Sequence, residues 1–197
     1  MRYDAEHKQK TRDRVIEEAA KEIKALGPQR VGVAGLMAKA GLTHGGFYAH
    51  FSSKDDLVLA AMDKMFEDAR TRVNKEVGDL PPDQGLGAYI DFYLSEAHRD
   101  ARFSGCAMPA LAGELPRMPS DAQKLFGERV ASLTARLAGL LSAMGRPEPE
   151  DDASSLVSEL VGALSLARAE PDQTRSNAIL ERSRRLLKKR LGIGEQS

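Results

Sequence analysis

Apolar residues recur along this chain at intervals of three and four, and nowhere with the strict alternation of a half-buried strand. Val15, Ala19 and Ile23 sit four apart, and Ile16, Ala20 and Leu26 widen the stripe, which predicts an amphipathic helix over 6–26. Gly27 and Pro28 end it. Val33, Leu36, Met37 and Ala40 form a second, short stripe. Gly41 follows, where a left-handed stop is easiest to adopt. Leu42 plugs the turn, and Thr43 caps a third helix that buries Phe47 and Phe51 and turns Thr43, His44, Tyr48 and His50 outward. Ser53 then offers the cap of a helix running to about 76, with Leu57, Ala61, Met65, Ala69 and Val73 inside. Asp55 and Asp56 lie in its first turn, where the helix dipole favours negative charge, and Ser53 and Asp56 have capping-box spacing.

The Pro- and Gly-rich run 78–87, GDLPPDQGLG, predicts a break. A helix over 86–99 follows, apolar at Ile90, Tyr93, Leu94 and Ala97. Residues 100–120 are interrupted by Gly105, Pro109, Gly113, Pro116 and Pro119, which leaves room for one short helix near Ala110. Residues 121–144 predict one long helix with Leu125, Phe126, Val130, Leu133, Leu137 and Leu140 inside. Two more helices, over 151–169 and 172–191, complete the chain. The expected fold is all-α, with about nine helices: a three-helix head carrying a helix-turn-helix over 1–53, and a helical body over 54–197.

Composition supports a packed helical protein. Hydrophobic residues make up 42% and charged residues 29%, while aromatics are 5% and Trp is absent, so the core is built from Leu, Ala, Val and Met. The net charge is zero, but its distribution is uneven. Residues 1–54 hold ten Lys/Arg against six Asp/Glu, and the remainder carries a compensating acidic excess. The positive end coincides with the helix-turn-helix pattern, and the local field is what a phosphate backbone meets. The single cysteine, Cys106, excludes an internal disulfide. The amino-terminal residues are polar, and no apolar run reaches the length of a signal peptide or membrane span, so a soluble cytoplasmic protein without a membrane partner is expected. No metal-ligand or cofactor motif is present, and no cofactor is expected.

Two helices, a glycine turn and a slender polar second helix suit docking in the major groove of duplex DNA. Thr43 can cap that helix or bond a phosphate, and His44 projects toward a base edge or phosphate. Gly45 and Gly46 are an unusual pair, since glycine costs about 1 kcal/mol against alanine within a helix. Close approach of DNA to the backbone gives them a reason; a frayed surface turn is the plainer alternative. Tyr48 and His50 sit at the rim within reach of phosphates, and Lys54 stands at the start of the next helix beside its free N–H groups. Arg2, Lys8, Lys10, Arg12 and Arg14 can add salt-sensitive attraction, or serve only as a solvated face.

At this point the resemblance is specific. The segments TRDRVIEEAAKEI at 11–23, Gly27, and AGLTHGGFYAHFSSKDDL at 40–57 resemble the DNA-binding head of the TetR/AcrR family of transcriptional regulators. The likeness is strong over roughly the first sixty residues, and the rest is similar only in layout. It implies a homodimer that binds a short palindromic operator and leaves it when a small-molecule inducer occupies the body. It places Thr43, His44, Gly45, Gly46, Tyr48, His50 and Lys54 on the family's DNA-facing positions. Val31 and Gly32 stand where the family usually has hydroxyl residues, so one cap and one phosphate contact are missing, and Ala49 replaces a bulkier residue.

An apolar sensor pocket in the body has candidate walls in Met62, Met65, Phe66, Tyr89, Phe92, Tyr93, Phe103, Cys106, Met108 and Phe126, although ordinary core packing explains each of them singly. Cys106, between Gly105 and a Pro-broken segment with His98, Arg99 and Arg102 nearby in sequence, is either a reactive thiol or a small buried apolar residue. Some members of the similar family carry a Gly-Cys pair in a comparable place and sense electrophiles or oxidants through it. The last two helices are the expected dimer surface, through Leu156, Leu160, Gly162, Ala163, Leu164, Ala167, Ile179, Leu186 and Leu187. The basic run at 182–190 is expected to be a solvated face. Two rivals stand beside the regulator: a helical small-molecule binding module without DNA binding, and a thiol hydrolase or transferase using Cys106 with His98. The second lacks an orienting partner, so no enzyme is expected.

Overall fold

The structure, a computed structural model, describes residues 2–194, with the side chains of 2–5 outside the described residues. Among the described residues there are nine α-helices and no strand: α1 Arg2–Leu26, α2 Val33–Lys39, α3 Lys54–Val77, α4 Pro82–Tyr93, α5 Glu96–Asp100, α6 Met108–Leu111, α7 Ser120–Ala143, α8 Pro149–Ala169 and α9 Gln173–Leu191. Short 3₁₀ helices occupy Pro28–Arg30, His44–Ala49 and Leu115–Arg117. The all-helical expectation holds.

The described residues fall into two compact units. One is the chain through Asp68 together with Cys106–Phe126; the other is Ala69–Gly105 together with the chain from Gly127 onward. Packing therefore groups more with the head than a division at 53/54 does. The reason lies in α3, whose Leu57, Val58, Ala61, Met62 and Met65 extend the buried set of the first unit, and in α6, which contacts α1.

In the first unit, Val15, Ala19 and Ile23 of α1, Leu36 and Met37 of α2, Phe47 and Phe51, and Leu57 and Ala61 of α3 are at most 2% exposed. Each large side chain of this set contributes about 1.5–3 kcal/mol through burial. Gly41 closes α2 at φ +71°, with its N–H donating to Ala38 O and that of Leu42 to Met37 O at 2.8 Å. Glu22 of α1 and Lys39 of α2 pair at 2.6 Å. Ser53 caps α3 by accepting from the Asp56 N–H at 3.1 Å, but Asp56 reaches back to the Ser52 N–H at 2.9 Å, so the expected capping box is displaced by one residue.

In the second unit, α8 and α9 form an antiparallel hairpin, with Leu156, Leu160 and Leu164 buried together with Leu180, Leu187 and Leu191. Two expectations are corrected here. The break expected through 78–87 is shorter, because α4 begins at Pro82 and contains Gly85 and Gly87. Both glycines serve packing: a Cβ on Gly85 would stand 3.1 Å from Val77, and one on Gly87 would stand 2.9 Å from Ile193. The helix expected over 86–99 is two helices, since α4 stops at Tyr93 and Ser95 starts α5 by accepting from the His98 N–H. In α7 only Leu137 of the expected inner positions is fully buried, while Leu125, Phe126, Val130, Leu133 and Leu140 are half-buried.

Candidate nucleic-acid interface

The segment after Gly41 is held by two aromatic anchors. Phe47 and Phe51 are buried and stack on each other, with ring centroids 5.5 Å apart and planes 27° from parallel. The expected α-helix over this stretch is instead the 3₁₀ helix His44–Ala49, with Gly46 N–H donating to Thr43 O and His50 N–H to Phe47 O. Paired glycines account for the difference: they give little support to an α-helical turn, and the i→i+3 bonds of a short 3₁₀ helix suffice between the two anchors.

The anchors fix which side chains look outward. His44 and Gly45 are exposed, and Tyr48 is 72% exposed with its ring edge-on to Phe47 at 5.2 Å. Thr43 stands at the cap position, exposed, yet its side chain makes no capping hydrogen bond. Gly46 is half-buried, facing Met37 and Thr43. The missing hydroxyl ahead of α2 has the expected consequence, since Gly32 at that cap position gives no side-chain bond.

His50 closes the segment, half-buried, with its Nδ1 sealed from solvent and without a hydrogen-bond partner. Burial, then the nearby Lys8 and Arg12 cations, hold its pKa below the usual histidine value. Arg12 lies over the Phe51 ring, its Cζ 4.9 Å from the centroid. Sequence reasoning placed Arg12 among general surface cations; the structure ties it to the aromatic anchor. Lys8, Lys10 and Arg14 are exposed on α1, and the side chain of Arg2 lies outside the described residues. Lys54 is half-buried, and its Nζ donates to Gln29 O at 3.3 Å, a partner with no signal in the sequence. A cleft of about 420 Å³ opens beside it, lined by Gln29, Ser53, Asp55, Met118 and Asp121 among others.

The residues named for a sensor pocket divide between the units. In the first, Met62, Met65, Phe66, Cys106 and Met108 are buried, and Phe66 meets Phe126 edge-on at 5.7 Å. Cys106 is 9% exposed, as a small core residue would be. In the second, Tyr89 and Tyr93 pack at 5.8 Å, Phe92 stacks on His98 at 4.9 Å, and Phe103 is 61% exposed. His98 is itself buried, with Nδ1 held 2.8 Å from Tyr93 O. Among the residues named for the dimer surface, Leu156, Leu160, Ala163, Leu164, Ala167 and Leu187 are buried in the single chain and face its own core. Leu186 is 51% exposed, and Gly162 and Ile179 are half-exposed. Leu166, which the sequence reading did not name, is 63% exposed. The stripe of largest apolar residues on α8 fills the core of the hairpin, which leaves the weaker stripe outside.

No helix among the described residues is long and apolar enough to cross a membrane, and no cluster of possible metal ligands occurs among them. What the first unit presents is a helix-turn-helix whose second element is anchored by two aromatic rings and polar on its open side. Residues 15–61 match the family model described as "Bacterial regulatory proteins, tetR family". Over 84 residues, 42% of the chain, it is 33% identical to the probable HTH-type transcriptional regulator ArpR of Pseudomonas putida and 32% identical to the HTH-type transcriptional regulator TtgR of the same species. These matches span 40% of the length of each of those curated relatives. The fold is similar along its whole length to a TetR transcriptional regulator from Chloroflexus aurantiacus, with 26% identity, a TM-score of 0.82, and coverage of 95% of this chain and 96% of that one. Escherichia coli NemR in its reduced form shares the fold at 21% identity and a TM-score of 0.79, covering 91% and 96% of the two chains. Residues 15–61 thus carry a helix-turn-helix DNA-binding domain of the TetR type, and the chain shares the fold of TetR transcriptional regulators.

Proposed function

We propose that the chain is a ligand-responsive repressor that binds a palindromic operator as a homodimer and is released by a small-molecule inducer. In functional terms the head is 1–53 and the ligand-binding, dimerising body 54–197. The observation that carries the DNA reading is the segment 43–50, where Phe47 is buried while Thr43, His44, Gly45 and Tyr48 face outward. An inward anchor with an outward polar edge is what a groove-reading element needs. Thr43, Tyr48, His50 and Lys54 hold phosphates, and His44 with the Gly45–Gly46 backbone meets base edges. Lys54 gives up its bond to the Gln29 carbonyl in doing so, at small cost because that bond is long.

In a dimer, two such segments enter successive major grooves about 34–36 Å apart. The exposed apolar positions of α8 and α9, Leu166 and Leu186 with Gly162 and Ile179, support that pair of helices as the dimer surface. Inducer binds among the apolar residues of the body, and acts only as far as it prefers one arrangement of α3 over another; a coupling of about 1–3 kcal/mol is typical of such sites. Burial of Cys106 favours a packing role over one as an electrophile or oxidant sensor. Equal inducer responses in the chain and in Cys106→Ser bear that out; loss of response in the variant restores the sensor.

The direct test is selection of bound duplexes from random fragments, followed by anisotropy titration. A recovered palindrome, with weaker binding by Tyr48→Phe and Lys54→Ala and an unchanged dimer on sizing, is the expected result. Unaltered affinity in both variants removes these contacts from the interface.

A further inference from the structure

We infer that His50, together with Lys8 and Arg12 of α1, forms a seat for a DNA phosphate diester that takes up a proton as the duplex binds, so that affinity for DNA rises on acidification. This rests on the reading of the head as a DNA-binding domain and adds its regulation by protons.

His50 ends the 43–50 segment, with its ring centroid 6.5 Å from that of Phe51, and the Arg12 guanidinium lies over the same Phe51 ring. The charged groups that act on the imidazole are Lys8 and Arg12, both cations and both from α1. On its own segment, His44 and Tyr48 are exposed. On α3, Asp55 is exposed, Asp56 is occupied by the Ser52 N–H and hydroxyl, and Lys54 is turned to the Gln29 carbonyl. The imidazole is thus set among positive charge with no carboxylate engaged on it among the described residues.

Its Nδ1 is sealed and meets no acceptor. A second N–H on the ring would leave a buried donor unsatisfied, which favours the neutral form in the free chain. Burial and the two cations push the same way. A phosphate diester reverses each of these effects: its charge offsets Lys8 and Arg12, and its oxygens accept from imidazolium N–H groups, with a turn about χ2 bringing Nδ1 to the open side. One proton passes from buffer to the imidazole as the phosphate arrives, and the diester itself does not titrate.

The pKa of His50 lies below its usual value in the free chain and higher in the complex, so affinity rises as pH falls between those two values and levels off below the lower one. One proton per subunit limits the slope to about tenfold in association constant per pH unit. Titration calorimetry of the full chain with a mixed-sequence duplex at low salt, in two buffers of different ionisation enthalpy, counts the protons. We expect uptake per subunit in the parent, its loss in His50→Gln, and its retention in His7→Gln. Binding without uptake, or with equal uptake in His50→Gln, overturns the inference and leaves the DNA reading standing. Absence of any duplex binding overturns both. Should His50→Gln fail to fold, the His50 ring resonance of the parent decides the matter: its titration midpoint moves up on adding duplex, and an unmoved midpoint is fatal to the idea.

Discussion

At the scale of single residues, the glycines divide by what they face. A Cβ on Gly45 meets nothing within 4 Å, and its backbone has no positive φ. Nothing in the chain itself therefore requires glycine there. Gly45→Ala should stabilise the free protein by about 0.4–1 kcal/mol by narrowing the unfolded ensemble. In the proposed complex the same methyl group would stand between the backbone and the groove, so duplex affinity should fall by about tenfold or more, the equivalent of roughly 1.4 kcal/mol. Thermal melting with anisotropy titration reads both effects; unchanged affinity would mean that the backbone does not approach DNA closely at this point. Gly105 is the opposite case. A Cβ there would stand 2.6 Å from the Arg168 guanidinium, 3.0 Å from Ala101 O and 3.2 Å from His98 Nε2. Arg168 has little room to yield, since it donates to His98 O and Arg99 O. Gly105→Ala should cost about 1–3 kcal/mol in urea unfolding, the usual range for overpacking.

At the scale of elements, α5 shows why some of the fold was readable and some was not. The long helices announce themselves through repeated apolar spacing, so α1, α3, α8 and α9 are legible to within a few residues. The turn at Gly41 is legible because a left-handed stop has a strong glycine preference. But α5 spans only Glu96–Asp100, too short for periodicity, and tertiary hydrogen bonds hold it. Arg99, 3% exposed, donates to Ser176 Oγ at 3.0 Å, to Asn177, and to both oxygens of Asp100. Arg168 of α8 answers with bonds to α5 carbonyls. A buried arginine with partners some 77 positions away leaves no local mark in a sequence. The outward face of 43–50 was readable from Phe47 and Phe51, whereas its 3₁₀ form and the bond between Lys54 and Gln29 depend on distant packing. Arg99→Ala should cost about 1.5–3 kcal/mol, the scale of a hydrogen bond to a charged group, and Arg99→Lys should recover little of it because one ammonium cannot span the fork. The hydrogen bonds from Arg99 also hold the Asp100 carboxyl below its usual pKa. Its stabilising contribution is present above the ordinary carboxylate pKa and is lost as pH falls through the lowered value. Acid unfolding of Asp100→Asn should accordingly show a shallower pH dependence than the parent; an identical acid limb would assign the loss to other carboxylates.

At the scale of the whole molecule, the proposed dimer makes operator affinity depend on pairing two heads, and that reading places the pairing on the outer face of α8 and α9. Leu166 and Leu186 are 63% and 51% exposed, and Gly162 and Ile179 of the same two helices are half-exposed. A two-fold axis makes such a patch meet its own copy, so one substitution is felt twice. The charges around it are already sorted. Arg184 and Lys188 are turned to Asp91, and Arg190 to Glu159, which leaves Arg182, Arg185 and Lys189 as exposed cations on α9. Leu186→Arg adds a fourth cation among these three. In the isolated chain it replaces a half-exposed side chain and should shift stability by only about 0.5 kcal/mol. In a dimer it removes apolar contact and places like charges face to face across the axis, a cost of several kcal/mol. The expected result is a folded monomer in sedimentation, with melting near that of the parent at low concentration. Its operator affinity should fall steeply while weak, salt-sensitive binding to mixed-sequence duplex persists, because one intact head still meets phosphates. A variant that stays dimeric would move the subunit contact away from α8 and α9. One that becomes monomeric yet keeps full operator affinity would show that a single head suffices, and the palindrome would lose its reason.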